Sequence, residues 1–113
     1  MVPIPLHFDT GRLQVLVAAT VFTRLRGLLA RPPLGRGEAM LIRPCNMIHT
    51  VGMRYCIDVV FLARDGTVLR VARSVGPRRV RAHLRAQSVL ELAAGEADRL
   101  AIVPGALLPV GAL

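Results

Sequence analysis

The stretch IDVVFLARDGTVLRV, Ile57 to Val71, constrains the fold of this chain more than any other. Two runs rich in β-branched residues flank Arg64-Asp65-Gly66. An Asp-Gly pair in that setting supplies the positive backbone angles of a tight hairpin turn. The spacing predicts a strand at Ile57–Ala63 and an antiparallel partner at Thr67–Arg73. Alternation in the second run puts Val68, Arg70 and Ala72 on one face and Thr67, Leu69, Val71 and Arg73 on the other.

Similar reading places strands at Leu13–Ala18, Ala39–Arg43 and Ser88–Leu92, with a last one near Ala106–Val110 after the Pro104-Gly105 turn. Gly95–Leu100 has room for a single helical turn. One longer helix is predicted at Val21–Ala30, where Val21, Phe22, Leu25, Leu28 and Leu29 recur at helical spacing. Thr20 is its N-cap and Pro32-Pro33 its stop. Eight prolines and ten glycines in 113 residues exclude an all-helical chain. The expectation is a single domain, residues 1–113, mainly β: a small sandwich or barrel of six to seven short strands with one short helix.

The net charge is +8, and every basic side chain is arginine. Such a field favours anionic partners, and arginine grips phosphate and carboxylate through parallel bonds. The longest apolar run, Val15 to Phe22, is far short of the roughly 20 residues of a membrane-spanning helix. The N-terminal MVPIPLHFDTGR lacks the pattern of a secretory signal, so a cytoplasmic location is expected. No lysine means no Walker-type phosphate loop, and no cofactor is expected. The basic run PRRVRAHLR, Pro77 to Arg85, reads as a solvated, linker-like loop. It has neither the aromatic platforms nor the recognition helix of a specific nucleic-acid binder.

Chemistry-bearing residues concentrate in PCNMIHTVGMRYCID, Pro44 to Asp58. Cys45, His49, Cys56 and Asp58, with the distant His83, supply the donor types of a zinc shell, but not the paired spacing of a zinc finger. Cys45 and His49 are the residue types of a thiol dyad that Asp58 could orient and Arg43 and Arg54 could charge. A Cys45–Cys56 bridge would close a short loop, which cytoplasmic thiols would keep reduced. Against each stands a plainer reading: a cysteine packed as a small apolar residue and a histidine bonded to backbone.

In order and spacing, TRLRGLLARPPL from Thr23, MLIRPC from Met40, HTVGMRYCIDVVFLARDGTVLRV from His49 and SVLELAAG from Ser88 resemble the bacterial and archaeal family called domain of unknown function 192. The likeness runs from about Thr20 to the C-terminus. It implies a compact β domain and carries no function with it. Val51-Gly52-Met53 stands where many relatives have an aromatic-tryptophan-methionine step, Cys56 where many have proline, and Pro104-Gly105-Ala106 where a glycine-aspartate pair is usual. Asp58 matches the aspartate of the family's strand. A carboxylate there, before Val59-Val60-Phe61-Leu62, must be hydrogen-bonded if buried. Arg54 and the loop amides are its nearest partners in sequence. Glu91, inside LEL, poses a similar choice: a strand residue facing water, or a second acidic group near Arg24 or Arg26.

These readings converge on a binding or scaffolding module that works through the 44–58 loop. Asp58 would lock the loop, His49 and Cys45 present polar contacts, Met53 offer an apolar one, and Arg54, Arg24 or Arg26 meet an anionic group. The partner would be an anionic small molecule or another protein. The alternatives are a metal- or thiol-dependent enzyme using the same loop, and an accessory protein that contacts polyanions without sequence preference.

Overall fold

The computed structural model describes residues 2–18 and 33–113. Among them are eight strands: β1 (Ile4–Phe8), β2 (Gly11–Ala18), β3 (Glu38–Ile42), β4 (Met47–His49), β5 (Ile57–Leu62), β6 (Val68–Val75), β7 (Val80–Ala82) and β8 (Ser88–Ala93). One turn of helix, α1 (Glu96–Arg99), and a 3-10 turn at Val110–Ala112 follow. Six strands form a mixed sheet in the order β1-β2-β3-β8-β5-β6, and β4 and β7 form a separate two-stranded ribbon. The chain is thus mainly β, as its turn spacing predicts. The Val21–Ala30 helix expectation lies outside the described residues.

The pairing of β2 with β3 is parallel, and every other pairing in the large sheet is antiparallel. A parallel pair needs a long crossover, here residues 19–37, whereas β1 and β2 need only the Asp9-Thr10 turn. Pro3 and Pro5 conceal β1 from a propensity reading. The strand forms because it lies at the sheet edge, where a missing N–H costs no ladder bond.

Both faces of the sheet are covered at its centre, which explains why β5 and β8 are buried along nearly their whole length and are mostly apolar, Asp58, Ser88 and Glu91 apart. On one face Leu13, Val15, Leu41, Val60, Leu62, Leu90 and Leu92 pack under Ala97, Leu100, Ile102 and Leu108 of the C-terminal segment. On the other, Ile57, Val59, Phe61 and Val89 pack under Ile48, Met53 and Ala86, the layer that carries the ribbon. Phe61 is fully buried there. Truncating such a ring to alanine costs about 3–5 kcal/mol.

The hairpin forms at Asp65-Gly66, with Gly66 alone of the pair in the left-handed region, at φ 93°. The Thr67 N–H donates to Asp65 Oδ1 at 2.9 Å, which holds that carboxyl below its usual range. The simple alternation predicted for β6 does not survive. Leu62 pairs with Val68 and Phe61 with Arg70, so Leu69 is an extra residue. This bulge flips the faces beyond it: Val68 and Val71 share one core while Leu69, Ala72 and Val75 share the other. A second shift, between Ile57 and Val59, leaves an extra residue near Ser74, whose φ is 49°.

The strand expected near Ala106–Val110 is instead irregular. A single bridge joins Thr67 to Leu107, and Leu108 donates to the Gly66 carbonyl at 2.9 Å. Pro104, Pro109 and the left-handed Gly105 prevent a longer ladder. The linker-like run after Gly76 contains β7, and the 44–58 loop contains β4. Strands of three residues carry no periodic signal and exist because they pair with each other.

Candidate functional site

The segment 44–56 leaves the sheet after β3, forms β4, and returns to β5. Met47 pairs with Ala82, Ile48 with Arg81 and His49 with Val80. Ile48 points into the core, so by alternation Met47 and His49 point outward, beside Val80 and Ala82 on the partner strand. Met47 is 60% exposed and Val80 58%, and Val51 and Leu84 nearby are also open to solvent. Arg54, Arg78, Arg79 and Arg85 are exposed in the same two segments. The outer face of the ribbon is therefore apolar at its centre and cationic in its surroundings.

Thr50, which the sequence reading passed over, holds this layer together. It is fully buried. Its hydroxyl donates to the Gly76 carbonyl at 2.6 Å and accepts the Arg79 N–H at 2.9 Å, while its own N–H donates to the Arg79 carbonyl at 2.9 Å. A threonine inside a polar loop gives no sequence signal for such a clamp. Arg70 fastens the ribbon to the sheet. Its guanidinium donates to the Ala82 carbonyl at 2.9 Å and lies 5.8 Å from the centre of the Phe61 ring, within cation–π range.

Cys45 is half-buried, and its thiol donates to the Met47 carbonyl at 3.1 Å. It lines a cleft of about 280 Å³ with Pro44, Asn46, Ala86 and Gln87. A second cleft of about 250 Å³ shares Pro44 and Gln87 and extends to Arg64, Val110 and Gly111. The cleft floor is tied to the sheet, because Cys45 N–H donates to Gln87 O and Gln87 N–H to Leu62 O. Cys56 is an exposed free thiol.

Asp58 is where the sequence reading and the structure differ most. Its partners are neither Arg54 nor the loop amides. It lies on β5 with Val60 and Leu62, on the face away from the ribbon. Oδ1 accepts the Ser74 N–H at 2.9 Å, and Oδ2 accepts the N–H groups of Gly95 (3.0 Å) and Ala97 (2.9 Å). One carboxylate thus fills the β6 bulge and caps α1, satisfying donors that a helix start leaves without partners. It does not lock the 44–58 loop, as the sequence suggested; the elements it ties to β5 are β6 and α1. For the same reason it cannot orient His49.

Met53, expected as an apolar contact, is buried in the core beneath the ribbon, and Met47 and Val80 occupy the exposed apolar positions instead. Arg24 and Arg26 lie outside the described residues. Glu91 is fully buried on β8 between Met40 and Val59, on the ribbon side of the sheet. Among the described residues no group of three or more His, Cys, Asp or Glu side chains comes close enough to hold a metal ion. Nor is any helix there long and apolar enough to cross a membrane.

Fold and site together define a small mixed-sheet β domain whose two faces are covered, one by a C-terminal cap and the other by a two-stranded ribbon. The chain belongs to the family DUF192, described as Uncharacterized ACR, whose model matches residues 5–110. It is similar to two solved structures. One is a protein of unknown function from Novosphingobium aromaticivorans DSM 12444, 25% identical with a TM-score of 0.78, covering 93% of this chain and 81% of that one. The other, from Sinorhizobium meliloti 1021, is described provisionally as a transcription regulator. It is 24% identical with a TM-score of 0.79, covering 96% of this chain and 95% of that one, and this likeness concerns the fold. No curated protein matches the chain.

Proposed function

We propose that this protein is a binding module whose working surface is the outer face of the β4–β7 ribbon, and that its partner is an acidic segment of another protein with apolar side chains at its contact point. The observation that carries this reading is the placement of Met47 and Val80. Two large apolar side chains, each more than half exposed, stand on one face of a ribbon with His49, in surroundings of arginine. An apolar centre with a charged rim is the usual anatomy of a protein-binding patch.

In this reading His49 and Arg54 make the polar contacts, Cys45 borders the adjoining cleft, and Met53 supports the ribbon from below. Asp58 acts at a distance by fixing the sheet on which the ribbon rests. Arg24 and Arg26 belong to the proposal as further contacts for an anionic group. The carboxylates of the partner would meet the arginine rim, and its apolar residues Met47 and Val80.

A synthetic peptide of alternating Glu and Leu tests the reading, titrated into the ¹⁵N-labelled protein. Amide shifts confined to residues 47–49 and 78–84, and weakened at least tenfold by Met47→Ser with Val80→Ser, are the expected result. Shifts spread over all arginine-bearing segments, unchanged in that double variant and abolished by salt, would mean generic basicity instead. Cys45→Ala separates the thiol or metal enzyme from the module. The module should keep its peptide affinity within twofold, whereas an enzyme working through that thiol would lose its activity.

A further inference from the structure

We propose a second binding site, distinct from the ribbon, that takes a small molecule bearing a phosphate or diphosphate group. The site is a groove of about 740 Å³ formed by β2, the turn before β3 and the end of α1, lined among others by Arg12, Arg36 and Arg99. Its volume falls inside the range of roughly 300–1,000 Å³ typical of small-molecule sites. Leu13 and Leu100 in its lining belong to the core on the face opposite the ribbon, so the two sites do not share a surface.

Three arginines reach this groove from three separate parts of the chain, and its lining contains no carboxylate. Arg99 is held in place. Its Nε and Nη2 donate to the two oxygens of Glu96 at 2.6 and 2.7 Å, using two of the five N–H donors of a guanidinium. The remaining three are available to a ligand. The Glu96 carboxylate also accepts the Gly37 N–H at 2.8 Å, and the Gly37 carbonyl accepts the Gln14 N–H at 2.8 Å. Helix, turn and strand are therefore bonded into one frame before any ligand arrives, which lowers the ordering cost of binding.

Glu96 neutralises one of the three positive charges. Arg12 and Arg36 are exposed, and among the described residues the ion pairs formed are Arg73–Asp98 and Arg99–Glu96. Neither Arg12 nor Arg36 forms a direct ion pair there, although the Arg36 charge is near enough to act on Glu96. The local balance of two positive charges matches a phosphate group, and the forked donors suit its oxygens. A glycine at 37, with φ 77° and nothing within 4 Å of where a Cβ would stand, leaves open space at the turn.

Inorganic pyrophosphate is the probe, titrated into the ¹⁵N-labelled full chain at about 150 mM salt, where weak exposed pairing is screened. Saturable shifts at Thr10, Gly11, Gly37 and Leu100 are expected. Arg12→Ala with Arg36→Ala should raise the dissociation constant at least about tenfold, roughly 1.4 kcal/mol. Both side chains are exposed, so this variant keeps the fold, its ligand-free shift changes confined to amides neighbouring positions 12 and 36. Arg81→Ala with Arg85→Ala, which removes the same charge from the ribbon segment, should change affinity less than twofold. No saturable shift at those amides, or an equal loss in the two double variants, overturns the site and leaves only the overall basic field.

Discussion

Asp58 on β5 accepts the backbone N–H of Ala97, 2.9 Å from its Oδ2, across 39 residues of sequence. The same side chain takes the Ser74 and Gly95 amides, so strand pairing, bulge and helix start meet at one carboxylate. The group is 1% exposed. A buried charge is tolerated there because three donors replace its water.

Replacing that carboxylate tests the lock. Asp58→Ala leaves the buried Ala97 amide and the part-buried Ser74 and Gly95 amides without that acceptor, and should cost about 3 kcal/mol in urea unfolding. Asp58→Asn keeps the shape but turns an N–H₂ toward donors, and should cost on the order of 2 kcal/mol. A loss below about 1 kcal/mol in the alanine variant would show that the hydrogen bonds contribute little net stability.

Thr50→Val keeps the volume of the side chain and removes its hydroxyl. The Gly76 carbonyl and Arg79 N–H then lose that partner, a loss of about 2 kcal/mol if it registers globally. The sharper readout is hydrogen exchange. Amides at Arg79 and His83 should exchange faster by about tenfold or more, while those of β5 and β8 stay protected. Uniform acceleration across the sheet would mean that the ribbon is not a separately detachable layer.

Gly66→Ala addresses the hairpin. The position has φ 93°, and a Cβ there would collide with the Leu108 carbonyl oxygen, which is backbone and cannot swing aside. A loss on the order of 3 kcal/mol is expected from conformational strain and displacement of the C-terminal segment together. Gly105→Ala is the control. It also has positive φ, but meets nothing within 4 Å, so its cost should be about 1 kcal/mol.

The Glu96–Arg99 pair predicts a pH dependence. The hydrogen bonds from Arg99 hold the Glu96 carboxyl below its ordinary value of 4.5. The Gly37 N–H and the Arg99 and Arg36 charges reinforce this, and burial opposes it. A carboxyl depressed in the folded state contributes stability that is fully present above the unfolded value and disappears as pH falls through the folded one. The difference in unfolding free energy between wild type and Glu96→Gln should therefore be constant from about pH 6 to 8. It should shrink steadily below about pH 4.5. A difference that stays constant into acid would mean that the pair contributes nothing through ionisation.

Much of this architecture was legible in the residues. Asp65-Gly66 specified its hairpin because a turn of that kind depends on two or three local dihedral angles. The β5 and β8 runs announced themselves as strands, and Gly95–Leu100 as a single helical turn; that both strands are buried on both sides emerged only from the fold. Asp58 could be recognised as a carboxylate that needs partners, since burying a bare charge is costly wherever it happens.

Local sequence determined, then, where the chain turns, which runs extend and which charges require company. Tertiary structure decided who the company is. Ser74, Gly95 and Ala97 reach Asp58 only because a bulge in β6 and the cap on β8 arrive at the same end of β5, and no spacing rule encodes that meeting. Thr50 and Arg79, and the pairing of β4 with β7, depend likewise on contacts between segments about thirty residues apart. The Leu69 bulge moved half of β6 to the other face, which a period-two reading cannot foresee because a single inserted residue inverts it. The exposed pair Met47 and Val80 and the arginine groove are both products of that long-range assembly.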